Sequence, residues 1–272
     1  MPRAAQKNWF VYVYNDLEAL GGRASRQIQH QRRPAMIFKE KISLVMHSCA
    51  SIGVVETFKA LVRYALRSKI ADSSYDRRNS TDTASRIENE QLEMSDPEAQ
   101  NHATCYRTAS ERFIGYLISH LGINYQEYDF VDVGCGKGRV LLVASSFPFR
   151  SICGIELSQP AFEIAKKNIR TYRCADQKCF NIHIRNVDAR YYEPSIANTV
   201  YYFFEPFDIV ILTAVLAKLS SKLRGQGKAI YVVCIWSDLA AVLKLFEMLG
   251  FKPIRSQKML ISSLNHAVFF LR

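Results

Sequence analysis

Two patterns of apolar residues alternate along residues 104–272 of the chain. Short runs of consecutive apolar residues predict strands that are buried on both faces of a sheet. The runs are Phe130–Val133, Ile152–Glu156, Phe180–Ile184, Val200–Phe204 and Ala229–Trp236. Between and before them, apolar residues that recur every three or four positions predict helices. These helices are expected at Gly138–Ser146, Pro160–Tyr172, Asp208–Leu223 and Leu239–Leu249, with an earlier helical stripe on Phe113, Leu117, Ile118 and Leu121.

Strands and helices that alternate in this way favour a mostly parallel sheet with helices on both faces. "FKPI" (Phe251–Ile254) and "HAVFFL" (His266–Leu271) predict a closing pair of strands at the sheet edge. The expected fold class is therefore α/β, with a Rossmann-like, seven-stranded domain over residues 104–272.

The residues that precede this domain are organised differently. Residues 1–70 form a basic extension that we expect to be partly helical, because Phe58, Leu61 and Leu66 share one side of a helix whose other side is charged. Its most apolar run, Ile42–Val55, is shorter than the roughly 20 residues of a membrane-spanning helix, so no transmembrane segment is predicted. Residues 71–103 contain few large apolar residues, which predicts a polar linker or a lid over a cofactor.

Positive charge is concentrated in the extension. The chain of 272 residues has a formal net charge of +11, and residues 1–70 contribute +8 of it, with twelve Lys or Arg and four Asp or Glu. Such an arm favours an acidic protein, RNA or an anionic membrane surface as a partner. The seven cysteines are scattered without a CxxC pair, which predicts reduced thiols in a cytoplasmic protein and no metal site.

Candidate chemistry begins where the first predicted strand ends, in "DFVDVGCGKGRVLL" (Asp129–Leu142). Gly134, Gly136 and Gly138 separate this strand from the next helix, and a backbone this bare lets a ligand approach the main chain closely. The dinucleotide-binding fingerprint needs a glycine where Arg139 stands. A phosphate-binding P-loop needs Ser or Thr directly after Lys137, which is followed by Gly138.

Three acids at strand ends narrow the choice of ligand. Glu156 ends the second strand, 18 residues after Gly138, where an acid can accept hydrogen bonds from both hydroxyls of a ribose. Asp188 follows the third strand, where it could accept from an adenine amine, and Asp132 lies beside the glycines. Three carboxylates around one cleft disfavour a phosphate-rich ligand and suit an adenosine that carries a sulfonium. Simpler alternatives are that Glu156 and Asp188 cap helices and that Asp132 only organises the loop.

These segments carry a resemblance to a known family. With "VDVGCGKGRV", "GIELS", "NVDAR" and "FFEPF" in this order, the chain resembles the class I S-adenosylmethionine-dependent methyltransferases over residues 104–272. Within this superfamily it resembles a largely bacterial group in which "FDRR…DT" precedes the domain and the fourth strand ends in "NPF". The corresponding pieces here are "YDRRNSTDT" (Tyr75–Thr83) and Glu205-Pro206-Phe207. A looser similarity, through "F-V-D-x-G-x-G" and the "IANT" of Ile196–Thr199, links it to the non-SET histone lysine methyltransferases.

The resemblance implies a methyltransferase fold with S-adenosyl-L-methionine as the cofactor. The implied contacts with its methionine end are Asp132, Gly134, Cys135, Gly136 and Gly138. The implied contacts with its adenosine are Glu156 at the ribose, Leu157 against the adenine, and Asp188 and Ala189 at the adenine edge. Tyr106 and Thr108 would close over the cofactor, with ordinary packing as the alternative for Tyr106. If residues 71–103 are a lid, Arg77 or Arg78 would pair with the cofactor carboxylate or with Asp132.

The methyl acceptor is expected at the end of the fourth strand. Methyl transfer from a sulfonium is a direct displacement that depends on orientation and exclusion of water, and it needs no metal. Many nitrogen methyltransferases have Asn-Pro-Pro-aromatic where this chain has Glu205-Pro206-Phe207, and a carboxylate suits an amine better than a neutral adenine. Phe204 and Phe207 could contact the substrate or the cationic methyl group.

We therefore expect transfer to an amine-like acceptor, with a protein side chain favoured over nucleic acid. RNA or DNA methylation is the first alternative, because clustered Lys and Arg in the extension could contact phosphates. A non-catalytic, methyltransferase-like binding protein is the second.

Overall fold

The computed structural model describes residues 73–85, 108–257 and 265–272. The basic extension, most of the 71–103 segment and Tyr106 lie outside these residues, so the predictions made for them stay predictions. Among the described residues, no helix has the length and apolar character needed to cross a membrane.

The described residues form seven strands and six α-helices. The strands are β1 (Asp129–Val133), β2 (Ser151–Glu156), β3 (Ile182–Asn186), β4 (Thr199–Phe204), β5 (Ile230–Trp236), β6 (Lys252–Gln257) and β7 (Asn265–Leu271). The helices are α1 (Ser73–Asn79), α2 (Glu111–Ser119), α3 (Arg139–Ala144), α4 (Gln159–Thr171), α5 (Ile209–Leu223) and α6 (Leu239–Met248). A short 3-10 turn, Tyr125–Glu127, precedes β1.

The strands make one sheet in the order β3-β2-β1-β4-β5-β7-β6. β1 to β5 are parallel, whereas β7 runs antiparallel to both β5 and β6. The predicted fold class, a Rossmann-like and mostly parallel seven-stranded sheet, is confirmed. The predicted closing pair is also confirmed: β6 lies at the edge, and β7 is inserted between it and β5.

Helices cover both faces of the sheet. Successive strand residues point to opposite faces, so Phe130 and Tyr202 belong to a core shared with α2 and α3. Val131 and Phe203, one residue further along, belong to a second core shared with α5 and α6. Burial on both sides explains why the central strands are apolar runs without polar alternation.

Two local differences from the sequence predictions have clear physical causes. β3 begins at Ile182 and not at Phe180, whose side chain is 77% exposed and gains nothing from a sheet position. Residues 73–79 form α1, which the low apolar content of their segment did not predict. That helix contributes one large apolar side chain to the core, Tyr75, at 2% exposure.

The strand order reverses between β1 and β4, because β2 lies on one side of β1 and β4 on the other. In open α/β sheets a crevice forms at such a point, outside the carboxyl ends of the strands. Two loops meet there: residues 134–138 after β1, here called the glycine loop, and residues 205–208 after β4, here called the acceptor loop. Asp208 ends the acceptor loop as the N-cap of α5, where its carboxylate accepts from the N–H groups of Val210 and Ile211.

Candidate functional site

The glycine loop uses its glycines for conformation as well as for space. Gly134, Gly136 and Gly138 have φ values of 75°, 51° and 86°, in the left-handed region that side chains disfavour. The N–H groups of Gly134 and Cys135 both donate to the Ile155 carbonyl of β2, at 2.9 and 3.0 Å. The loop is therefore fixed to the end of β2, and Gly134 is its exposed member.

The non-glycine residue in the middle of this turn points away from solvent. The Cys135 side chain is 5% exposed, and a Cβ built on Gly154 of β2 would lie 2.7 Å from its sulfur. Burial raises the pKa of the Cys135 thiol well above its ordinary value. Any contact of Cys135 with a cofactor would thus use its backbone, since its thiol fills the space left by Gly154.

Glu156 ties the glycine loop to the start of α4. Its carboxylate accepts from the N–H groups of Gly136 and Ser158, both at 2.8 Å. Burial raises its pKa, while these N–H donors act in the opposite direction. The carboxylate thus lies at the end of β2, and Leu157, half-buried, follows it.

Asp132 places an unsatisfied carboxylate oxygen beside the loop. The residue is 2% exposed, and among the described residues its Oδ2 has no hydrogen-bond partner. Its neighbour across the β1–β4 ladder is Tyr202, whose buried hydroxyl also has no partner among the described residues. Burial, with a smaller contribution from the charge of Glu156, raises the pKa of Asp132 well above its ordinary value. A buried acceptor of this kind fits the cationic or N–H-donating part of a ligand, as the ammonium group of S-adenosylmethionine would provide.

Asp188 differs from the other two acids because it already has a cationic partner. Arg190 binds it through the backbone N–H at 2.8 Å and through Nε and Nη2 at 3.0 and 2.7 Å. Of the three predicted acids, Asp132 and Glu156 have no ion-pair partner in the described structure, whereas Asp188 has one. Asp188 and its half-buried neighbour Ala189 follow β3 as predicted, and Arg190 was not foreseen.

The acceptor loop lies directly against the glycine loop. A Cβ built on Gly134 would be 2.2 Å from the Cβ of Pro206, so the two backbones approach as closely as glycine allows. Glu205 has φ 42°, a conformation that is uncommon for a residue with a side chain. Its carboxylate accepts from the Ser237 hydroxyl and, at 3.3 Å, from the Ser237 N–H. The structure thus brings Glu205 and Pro206 beside the predicted methionine end of the cofactor site.

The two aromatic residues of this strand end are half-buried and face different cores. Phe204 packs against the core shared with α2 and α3. Phe207 packs against the opposite core, with its ring edge-on to Phe203 at 6.3 Å between centroids. Phe204, just before the acceptor loop, and Phe207, within it, thus pack on opposite faces of the sheet.

Of the two partners predicted for Arg77 or Arg78, Asp132 is not the one that the structure shows, and the cofactor carboxylate stays a prediction. Arg77 is exposed, and Arg78 donates to Glu111 of α2 at 2.7 Å. Neither arginine is placed against Asp132. Thr108, half-buried, lies two residues before the Ser110 cap of α2.

Residues missed at the sequence level reach the site from distant strands. Ser237 follows β5 and holds Glu205, while Asn265 begins β7 and donates to the Ser237 carbonyl at 3.0 Å. No local motif marks either residue, because each is recruited by strand pairing. Arg190 could have been found, since it stands two residues from Asp188.

The part of the chain that the structure describes contains no group of side chains that could hold a metal ion. Five cysteines there are free thiols, and no three His, Cys, Asp or Glu side chains are grouped as ligands.

Comparisons with known proteins find similarity to solved structures at low sequence identity. No protein-family model matches the sequence, and no curated protein matches it significantly. A ribosomal protein L11 methylase from Lactobacillus delbrueckii subsp. bulgaricus resembles it with a TM-score of 0.43 and 14% identity, over 58% of this chain and 76% of that one. The methyltransferase domain of bacterial CtHen1-C gives 0.46 and 17%, over 59% and 97%. The N-methyltransferase NodS from Bradyrhizobium japonicum WM9 gives 0.42 and 9%, over 53% and 85%. Similarity at this level does not indicate an acceptor.

Proposed function

We propose that this protein is an S-adenosylmethionine-dependent methyltransferase that transfers a methyl group to an amine, and that the amine belongs to a protein side chain. One observation carries the proposal: the strained, hydrogen-bonded Glu205 lies beside the glycine loop, with Pro206 in contact range of Gly134. Strained residues are costly and cluster at functional sites, so the conformation of Glu205 supports a role in function.

Different residues of this chain would bind different parts of the cofactor. Gly134 offers exposed backbone, and the free oxygen of Asp132 suits the ammonium group of the methionine moiety. Glu156 suits the ribose, with Leu157 and Ala189 at the adenine. When bound, S-adenosylmethionine supplies a methyl group that is already activated by its sulfonium.

Glu205 is the residue that would receive the acceptor. Ser237 holds its carboxylate in one orientation, so an amine that enters the crevice meets a fixed hydrogen-bond acceptor. A carboxylate also stabilises the positive charge that an amine gains when it is methylated. Phe204 and Phe207 border the slot, and such apolar walls help to exclude water. Orientation and exclusion of water are the main requirements of a direct displacement.

A protein acceptor is favoured over nucleic acid for two reasons. Glu205 stands where many nitrogen methyltransferases have asparagine, and a carboxylate suits a neutral adenine less well than an amine. Its negative charge also opposes an approaching phosphate backbone. The similarity of "FVDVGCG" and "IANT" to non-SET histone lysine methyltransferases supports lysine as the amine. The basic extension, residues 1–70, would then contact an acidic protein surface, with RNA and an anionic membrane as the alternatives.

Binding is the first experiment. Isothermal titration of the full chain with S-adenosylmethionine and S-adenosylhomocysteine should give saturable binding to one site. Folded protein that binds neither compound would exclude the enzyme hypothesis.

Methyl transfer is the second experiment. Labelled S-adenosylmethionine is incubated with the protein fraction, the RNA fraction and the small molecules of a lysate. We expect label in protein, and its loss with Glu205→Gln but not with Glu247→Gln, an exposed glutamate on α6 that serves as the matched control. Label in RNA alone would replace the proposed acceptor. Cofactor binding without transfer to any fraction would favour the non-catalytic alternative.

A further inference from the structure

A short segment that precedes the methyltransferase domain binds to residues in and next to the glycine loop. This clamp segment, residues 73–85, comprises α1 and the turn that follows it. Asp76 organises the turn, because its carboxylate accepts from the N–H groups of Thr83 and Ala84 at 2.9 and 2.6 Å and from the hydroxyls of Thr81 and Thr83 at 2.8 and 2.6 Å. These four hydrogen bonds give the turn a defined conformation.

The first attachment is Arg139, which directly follows the glycine loop. Its Nε donates to the Thr83 hydroxyl at 2.6 Å, and its Nη2 donates to Asp76 at 3.3 Å. Its guanidinium carbon lies 4.4 Å from the centre of the Tyr75 ring. With the Arg139 side chain only 1% exposed, this cation is enclosed by the clamp segment.

The second attachment is Lys137, inside the glycine loop. Its ammonium group lies 3.2 Å from both carboxylate oxygens of Asp82 and also bonds to the Ser85 hydroxyl. The Lys137 side chain is 3% exposed, whereas that of Asp82 is 53% exposed. Solvent therefore reaches the acid, and the loop lysine is covered.

A third side chain joins the clamp segment to the loop through α4. The Asn168 amide nitrogen donates to the carbonyls of Asp82 and Lys137 at 2.8 and 2.9 Å, and its oxygen accepts from the Asp82 N–H at 2.9 Å. Asn168 is 2% exposed, so these bonds are shielded from water. One buried amide thus fixes both backbones relative to each other.

We propose that the clamp segment is a working part of the cofactor site: by binding Lys137, Arg139 and Asn168 it holds the glycine loop in its ligand-binding conformation. Asp76, Asp82 and Thr83 are then positioning residues, because they act on the loop and do not touch the ligand. The clamp segment also binds the side chains of Lys137 and Arg139, so neither cation is available to a phosphate group of a ligand. The cleft is then lined by the acids Asp132 and Glu156. The inference rests on the proposed function, since it concerns affinity for an adenosyl ligand.

The experiment measures S-adenosylhomocysteine affinity by isothermal titration, at a temperature well below unfolding. Asp82→Asn removes the charge that faces Lys137 at an exposed position, so the fold should survive. We expect affinity to fall about tenfold, within the usual range of coupling between sites, and Asp82→Glu should restore it. Asp176→Asn is the matched control, because Asp176 is an exposed aspartate between α4 and β3 that has no contact with the glycine loop in the described structure.

A second measurement uses the wild-type protein and needs no variant. Coupling is reciprocal, so S-adenosylhomocysteine should slow hydrogen exchange at the Thr83 and Ala84 amides that bond to Asp76. A purely structural clamp would lower the melting temperature of Asp82→Asn without changing its affinity or the ligand-dependent exchange, and that result would overturn the inference. If the wild type does not bind the ligand at all, the proposed function fails first and the inference fails with it.

Discussion

Alanine in place of Gly134 tests whether the contact between the glycine loop and the acceptor loop is as tight as the structure indicates. The new Cβ would lie 2.2 Å from the Cβ of Pro206, on a residue whose φ of 75° already disfavours a side chain. The left-handed conformation costs about 1–2 kcal/mol, and the stiffer unfolded chain returns about 0.4–1 kcal/mol. Forcing an atom into packed surroundings adds about 1–3 kcal/mol. We therefore expect the free energy of unfolding to fall by about 1–5 kcal/mol.

Gly122→Ala separates the two contributions. Gly122 has φ 66°, and a Cβ there would meet no heavy atom within 4 Å, so only the conformational cost of about 1 kcal/mol remains. Urea unfolding of both variants gives the free energies, and titration with S-adenosylhomocysteine gives the effect on binding. Affinity should fall in Gly134→Ala alone, because Pro206 or the loop must move. Equal losses of stability in the two variants would refute the steric argument.

Three further predictions concern charge and positioning. Asp132→Asn should stabilise the protein at neutral pH: burial raises the pKa of Asp132, so its favourable contribution exists below the ordinary value of 3.8 and is lost as the pH rises through the folded-state pKa. Thermal unfolding at several pH values checks this, and parallel curves for variant and wild type would contradict it. Asp76→Asn should have the opposite effect. Burial acts to raise the pKa of Asp76, but the hydrogen-bond donors around its carboxylate lower this pKa overall. The stabilisation that Asp76 provides therefore exists above pH 3.8 and disappears as the pH falls through the folded-state pKa. The variant should therefore lose about 1–3 kcal/mol at neutral pH and nothing in acid, as measured by urea unfolding at both pH values. Ser237→Ala should lower kcat about tenfold, near 1.4 kcal/mol of transition-state stabilisation, because the variant no longer holds the Glu205 carboxylate; affinity for S-adenosylhomocysteine should not change. The control is Ser221→Ala, which removes an exposed hydroxyl on α5. Equal kcat values for the two variants would count against a role for Ser237.

The sheet was predictable because its information is local. Runs of apolar residues buried on both faces mark each central strand, and Gly134, Gly136 and Gly138 mark the turn that follows the first one. Glu156 was identified by its place at a strand end, and its bond to Gly136 is consistent with that place.

The contacts that complete the site were not predictable in the same way. Arg139 and Asp76 are 63 positions apart, and Glu205 and Ser237 are 32 apart, so no spacing rule links them. α1 was missed because Asp76 and its hydrogen bonds organise that region, whereas sequence patterns register apolar periodicity. A single sequence is enough to predict the glycine turn and the strands. The long-range polar pairs can be identified only from the folded structure.

The position of β7 imposes an order on folding. β6 precedes β7 in the chain, yet its only strand partner in the described sheet is β7, which separates it from β5. β6 therefore has no strand to pair with in this sheet until Asn265–Leu271 has been synthesised. Until then the apolar edge of β5 is open to other chains, as transiently unpaired strand edges are in slowly folding α/β proteins.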